Sequence, residues 1–196
     1  SAVAVNWADK NVPAIIDAWY PGVDGGAAVA AAIAGDTNPA GRLPVTFYRS
    51  VDDLPGFKDY GMTGRTYRYH KGEVLYPFGH GLSYTRFAYS DVSADLPVVD
   101  ANGAVTISAK VTNAGARDGE EVVQLYLTRP GLPGAPIRAL AGFQRIGLKA
   151  GETRDVRFTL SGRALSSVDP QGARKVFAGP VEAWVGGGQP VARDGL

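Results

Sequence analysis

The sequence contains no cysteine. That absence excludes disulfide frameworks, thiolate nucleophiles, cysteine-based zinc sites and iron–sulfur clusters together. It does not fix a compartment, because secreted proteins can also do without cysteine. Histidine is nearly as scarce. His70 and His80 are the only 2, and no carboxylate cluster accompanies them, so the expectation is a hydrogen-bonded structural role and no metal site. Neither sign of charge dominates: Lys and Arg total 20 against 19 for Asp and Glu, which removes the electrostatic case for a nucleic-acid or membrane-surface partner. Long apolar runs are missing as well. The longest, Ala27 to Ala34, falls well short of the roughly 18 residues that a membrane span needs. Methionine occurs once, at Met62. Ser1 to Val5 shows no initiator methionine and no basic stretch ahead of an apolar one, so it does not read as a signal peptide. The expectation is a chain that starts at a processing point or at a break in a longer polypeptide.

What is present is apolar and rich in turns. The 196 residues are 45% hydrophobic, enough for a core, and include 26 glycines and 13 prolines. Residues 1–49 read as α/β. Ala14 to Trp19 is almost continuously apolar, as suits a strand covered on both faces. Asp24 precedes Gly25, Gly26 and an alanine-rich run, and its carboxylate is placed to cap a helix whose Val29 and Ile33 would face the sheet. Gly35 suits the C-cap. Leu43 to Phe47 reads as a second strand, interrupted by Pro44 and so at an edge. One such βαβ unit cannot shelter a parallel sheet by itself, so the expectation is the end of a larger one.

Residues 50–89 change character, with many aromatics set among glycines and little periodicity. They are too aromatic for a flexible linker and read as a connector packed onto a neighbouring domain. From Ser90 to Leu196 the period becomes two: Val105, Ile107, Ala109 and Val111; Val123, Leu125 and Leu127; Val156, Phe158 and Leu160; Val181, Ala183 and Val185. These are half-buried antiparallel strands over a span close to the roughly 100 residues of an immunoglobulin-like sandwich.

Few residues offer chemistry. Ser83 lies outside a nucleophile elbow, since position 85 is Thr. Gly22 to Gly26 lacks the dinucleotide fingerprint, and Asp24 would repel a phosphate. Asp52, Asp53, Asp59, Glu73 and Asp91 show no spacing that pairs two of them as glycosidase carboxylates. Arg65-Thr66-Tyr67-Arg68-Tyr69 interleaves cations and aromatics. It suits stacking on sugars, or a segment whose tyrosines fasten it to a partner domain.

Three ordered motifs carry a resemblance: Trp19-Tyr20-Pro21-Gly22-Val23-Asp24-Gly25-Gly26, then Gly41-Arg42-Leu43-Pro44-Val45-Thr46-Phe47, then Tyr76-Pro77-Phe78-Gly79-His80-Gly81-Leu82-Ser83-Tyr84-Thr85. Together they resemble the C-terminal part of glycoside hydrolase family 3. The later strands, including Val122-Val123-Gln124-Leu125-Tyr126, are similar to that family's fibronectin type III-like domain. The resemblance implies an α/β fragment, the end of an α/β sandwich sheet, followed by an all-β fibronectin type III-like sandwich. It implies a retaining exo-β-glycosidase that releases terminal β-linked xylose or glucose from plant-wall oligosaccharides, without a cofactor. The family's nucleophile Asp and acid/base Glu belong to motifs that do not occur in these residues, so no catalytic position is assigned. Arg65, Tyr67 and Tyr69 are expected at the rim of the sugar pocket, in a stretch most like the xylosidase branch. The implied partners are an N-terminal catalytic barrel and the remainder of the α/β sandwich, a homodimer is compatible, and the implied location is periplasmic or secreted. The competing reading is a stand-alone carbohydrate-binding or protein-interaction sandwich without catalysis.

Overall fold

In a computed structural model, which describes residues 2–190, the chain is built mostly of strands with few helices. Two three-stranded antiparallel sheets stack face to face. The first contains β1 (Phe87–Ala94), β2 (Ala104–Asn113) and β5 (Thr153–Ser161), with β2 central. The second contains β3 (Gly119–Thr128), β4 (Ala139–Leu148) and β8 (Glu182–Gly186), with β3 central. A two-residue ribbon, β6 (Ser167–Val168) with β7 (Arg174–Lys175), lies between β5 and β8 in sequence. The alternating residues meet between the sheets: Val111, Val123 and Leu125 are fully buried, with Ile107, Val156 and Phe158 around them. Each such side chain contributes about 1.5–3 kcal/mol of hydrophobic free energy. In β8 the alternation does not translate into core, since of Val181, Ala183 and Val185 only Val185 is buried.

The turn at Asn113 is held from inside. Asn113 is fully buried. Its Oδ1 accepts from the Thr85 hydroxyl at 2.6 Å, and its Nδ2 donates to the carbonyls of Arg117 and Leu148. One side chain thereby joins the chain entering β1 to the β2–β3 turn and the end of β4.

Ahead of β1 the chain is different. Helix α1 (Asn6–Asn11) and helix α2 (Gly25–Ala34) are joined by irregular backbone, and α3 (Thr66–Tyr69) is a single turn. Of the α/β unit expected from the sequence, only the helix forms among the described residues. Ala14 to Trp19 make no strand, and Ile15, Ile16 and Trp19 are exposed. A strand needs a neighbour for its backbone groups, and no other segment of these residues supplies one. Of Leu43 to Phe47 only Phe47 forms a β-bridge, antiparallel to Tyr76, while Leu43 exchanges backbone hydrogen bonds with Gly79 and His80. Helix α2 does form and ends on Gly35 in the left-handed conformation, φ 81°. Asp24, however, caps it only through its backbone carbonyl, which accepts from the Ala28 amide, and not through its side chain. Ile33 faces solvent because there is no sheet for it to meet.

Candidate functional site

The N-terminal region is anchored to the sandwich through the outer face of the β4–β3–β8 sheet. On β3, Gln124 and Tyr126 point away from the core, yet both are buried. Their cover is the Tyr76-to-Gly81 loop together with α3. The Tyr67 ring stacks on Phe78 with centroids 4.2 Å apart and meets Tyr126 edge-on, and Trp184 of β8 meets the same Tyr126 edge-on as well. Aromatic pairs in these geometries contribute about 0.5–1.5 kcal/mol each beyond their buried area. Beneath them the Tyr126 hydroxyl donates to Gln124 Oε1, and Gln124 Nε2 donates to the carbonyls of Gly79 and Gly187. Gly79 has φ 80°, and a Cβ there would sit 2.3 Å from Gln124 Oε1. Only glycine lets the loop approach β3 this closely.

A buried ion pair closes the end of the sandwich. Arg42, from the second family-like motif, donates two hydrogen bonds to Glu121 of β3, at 2.8 and 2.9 Å. Its Nε donates to the Gly187 carbonyl, and its remaining N–H groups to the carbonyls of Ala40 and Gly41. The side chains are 8% and 3% exposed, so both charges are satisfied away from water. Burial pushes the Glu121 carboxyl up, and Arg42 pulls it back toward its ordinary value. Burial, reinforced by the nearby Glu121, also pushes the Tyr89 phenol far up.

Arg65, Tyr67 and Tyr69 flank one loop. After the 3-10 turn Val51–Asp53, capped by the Ser50 hydroxyl, residues 54–64 curl around the Arg65 guanidinium. It donates to the carbonyls of Pro55, Gly56, Asp59 and Gly61, at 3.4, 3.2, 2.5 and 3.1 Å. Thr66 has φ 55°, a conformation that a β-branched residue rarely adopts. Its amide donates to the Tyr48 hydroxyl at 2.8 Å, and the Tyr48 ring meets His70 edge-on. Tyr67 accepts at its hydroxyl from the Leu140 amide. Tyr69 is half-buried beneath the Arg68 guanidinium, 5.9 Å from its centroid. Arg65 therefore shapes a loop, Tyr67 docks it, and Tyr69 is the member of the three with no hydrogen bond holding its hydroxyl among the described residues.

His80 stacks on Tyr76, with centroids 5.3 Å apart. No group of three or more His, Asp or Glu among the described residues is arranged to hold a metal ion. A surface hollow of about 530 Å³ is lined by mixed charges from Asp118, Glu120, Lys149, Glu152 and Arg154. No helix among the described residues is long and apolar enough to cross a membrane. Periodicity does not reveal the Gln124–Tyr126 docking pair or the Arg42–Glu121 pair. Their one signal is chemical: a glutamine, a tyrosine and a glutamate on the most deeply buried strand of the sandwich.

A two-sheet sandwich with a helix-and-loop segment fastened across one sheet defines the class of protein, and known families agree with it. Residues 1–84 match the glycosyl hydrolase family 3 C-terminal domain, and residues 121–189 the fibronectin type III-like domain. The chain belongs to glycoside hydrolase family 3, whose C-terminal domain and fibronectin type III-like domain it carries. It is 41% identical over 172 residues to a xylan 1,4-β-xylosidase of Xylanibacter ruminicola, covering 87% of this chain and 20% of that protein. It is 37% identical over 191 residues to a periplasmic β-glucosidase of Salmonella typhimurium, covering 91% of this chain and 25% of that protein. The solved structure of a β-glucosidase from Erythrobacter marinus superposes with a TM-score of 0.81 at 39% identity, over 93% of this chain and 24% of the other. The chain thus spans 20% and 25% of the length of these two curated relatives.

Proposed function

We propose that this chain is the C-terminal scaffold of a retaining exo-β-glycosidase that releases terminal β-linked xylose or glucose from plant-wall oligosaccharides. The observation that carries the reading is the uncovered apolar surface on Ile15, Ile16, Tyr20, Val23 and Ile33, in a chain a fraction the length of its β-xylosidase and β-glucosidase relatives. A monomer that left so many large apolar groups in water would be unusual. On this reading residues 1–49 are the end of an α/β sandwich completed by the rest of the enzyme. Residues 50–89 are the connector laid between domains, and residues 90–196 form the fibronectin type III-like domain. The partners are the N-terminal barrel and the remaining sandwich sheet, and the enzyme works in the periplasm or outside the cell.

The chemistry is double displacement. One carboxylate forms the glycosyl-enzyme while the other protonates the leaving oxygen and then activates water. Both carboxylates lie outside these residues, so this chain positions and does not react. Arg65, Tyr67 and Tyr69 border the sugar pocket, Arg65 by fixing the loop beside it.

Mass spectrometry of the native preparation tests the reading. A companion stretch of several hundred residues, linked or co-purifying, together with release of nitrophenol from an aryl β-xyloside or β-glucoside, is the expected result. A compact 196-residue monomer that binds xylan or cellulose without turnover would establish the binding-module reading instead. In the complete enzyme Arg65→Ala should raise KM or lower kcat. Unchanged kinetics with lower thermal stability would make Arg65 purely structural.

A further inference from the structure

Among the exposed apolar side chains ahead of β1, two groups differ in kind. Ile15, Ile16, Trp19, Tyr20 and Val23 form a mainly apolar stretch interrupted by one charge, Asp17. Covering it costs little, so it suits a protein partner. The loop of residues 54–64 is of another kind. Phe57 and Tyr60 are 95% and 91% exposed, and between them stand Lys58 and Asp59, also exposed. A protein surface laid over these two rings would have to desolvate an ammonium and a carboxylate with them, at a cost of several kcal/mol per unpaired ion. A sugar would not. A β-linked pyranose has an apolar face of axial C–H groups to lie on a ring, and a rim of hydroxyls that the neighbouring charges can hydrogen-bond.

The loop also keeps its shape without a partner. Arg65 holds four of its carbonyls, and Asp59 Oδ1 accepts from the Gly61 amide at 2.8 Å. The strained Thr66 that ends the loop is tied to Tyr48. Backbone strain of about 1–3 kcal/mol persists where the surroundings impose it, and preorganisation of this kind lowers the entropy lost when a ligand binds. Exposed aromatics on a rigid, internally bonded loop are a presentation surface.

We infer that Phe57 and Tyr60 form an aromatic platform for the leaving-group end of an oligosaccharide, beyond the sugar that is cleaved. The inference rests on the glycosidase reading for its substrate class. The platform sets preference for chain length: it grips the third ring of a β-1,4-linked saccharide, a position that the aryl group of a single-sugar aryl glycoside does not reach. Arg65 is its positioning residue.

The test uses the complete enzyme, with xylotetraose and cellotetraose against the corresponding aryl glycosides. Phe57→Ala combined with Tyr60→Ala should raise KM for the tetrasaccharide about five- to tenfold, the loss expected from one or two ring contacts. Kinetics on the aryl glycosides should be unchanged, and Phe57→Trp should restore the tetrasaccharide KM. Calorimetric titration of tetrasaccharide into wild type and the double variant gives a readout that needs no turnover. An enzyme that cleaves glycosides and binds tetrasaccharide equally well with and without the rings overturns the platform alone. Equal losses on both substrate types with a lowered melting temperature also overturn it, by making the loop a packing surface. A wild-type protein that turns over neither substrate overturns the glycosidase reading, and the titration then still decides the platform.

Discussion

The sandwich and the region ahead of it solve the problem of stability in opposite ways. From Val105 to Val185 the sandwich buries its own alternating side chains between two sheets. Before Phe87 only Ala40, Phe47 and Leu75 are buried among the apolar residues, while Ile15, Ile16, Tyr20 and Phe57 stand in water. That region is held by polar reach into its neighbour: Arg42 to Glu121, Gly79 to Gln124, Asn38 to the Asp118 carbonyl, and Arg117 to the Gly35 carbonyl. The difference teaches that the fibronectin type III-like domain is a support. It carries a self-sufficient core and lends its outer face to a segment that cannot form one.

The sharpest way to break that asymmetry is to cut the ion pair. Arg42→Ala leaves the Glu121 carboxyl buried without its cation, which should cost about 3–5 kcal/mol. The loss should be uneven. Amide exchange ought to accelerate through residues 38–81 while β2, β3 and β5 stay protected. Replacing both partners by apolar residues of similar volume should recover much of the stability. Uniform loss of protection across both regions would show that they unfold as one unit and that the sandwich has no independence.

A second substitution sharpens the same contrast inside the docking face. Tyr126→Phe removes the hydroxyl that donates to Gln124 Oε1 and leaves a buried amide oxygen short of a partner, at about 1–3 kcal/mol. The core behind β3 is untouched, so the denaturant slope should be unchanged while the midpoint falls. Full retention of stability would mean that water reaches Gln124 and that the connector is loosely seated.

These two sites also mark how far the sequence could be read. β2 and β5 were legible because one face meets a core and the other meets water, which yields a clean period of two. β3 was legible as a strand, but its outward Gln124 and Tyr126 looked solvated. Their cover comes from residues far away in the chain, and periodicity carries no information about it. β4 escaped notice because Gly142 and Gly147 interrupt its pattern. At Gly142 an added Cβ would lie 2.9 Å from Phe158, so the gap is a packing requirement. Ala14 to Trp19 misled for a different reason. An apolar run signals burial without saying by what, and within these residues only Trp19 finds a ring to meet, Phe47, while Ile15 and Ile16 stay exposed. At the candidate site, Arg65, Tyr67 and Tyr69 stood out as alternating cations and rings. Nothing in that alternation told which carbonyls the guanidinium would hold.

The smallest expected effect concerns how the outermost helix is tied down. The Tyr76 hydroxyl donates to Asp9 Oδ1 at 2.6 Å, fastening α1 to the loop that docks on β3. That bond, with burial and the Asp9 charge adding to it, pushes the phenol up to about 12 from the ordinary 10. Between those values the folded chain keeps a proton that the unfolded chain has lost. The bond's contribution is therefore complete below about pH 10 and disappears as pH rises through about 12. Solvent screening at this half-buried site keeps the contribution modest. Tyr48, Tyr89 and Tyr126 are pushed up as well, so wild type alone would show a combined alkaline loss. Subtracting the profile of Tyr76→Phe isolates one phenol. The difference in melting temperature between the two proteins should be constant up to about pH 10 and close as pH rises to about 12. A difference that stays fixed across that range would mean the tie to Asp9 does not form in solution, leaving α1 as loosely held as the exposed stretch that follows it.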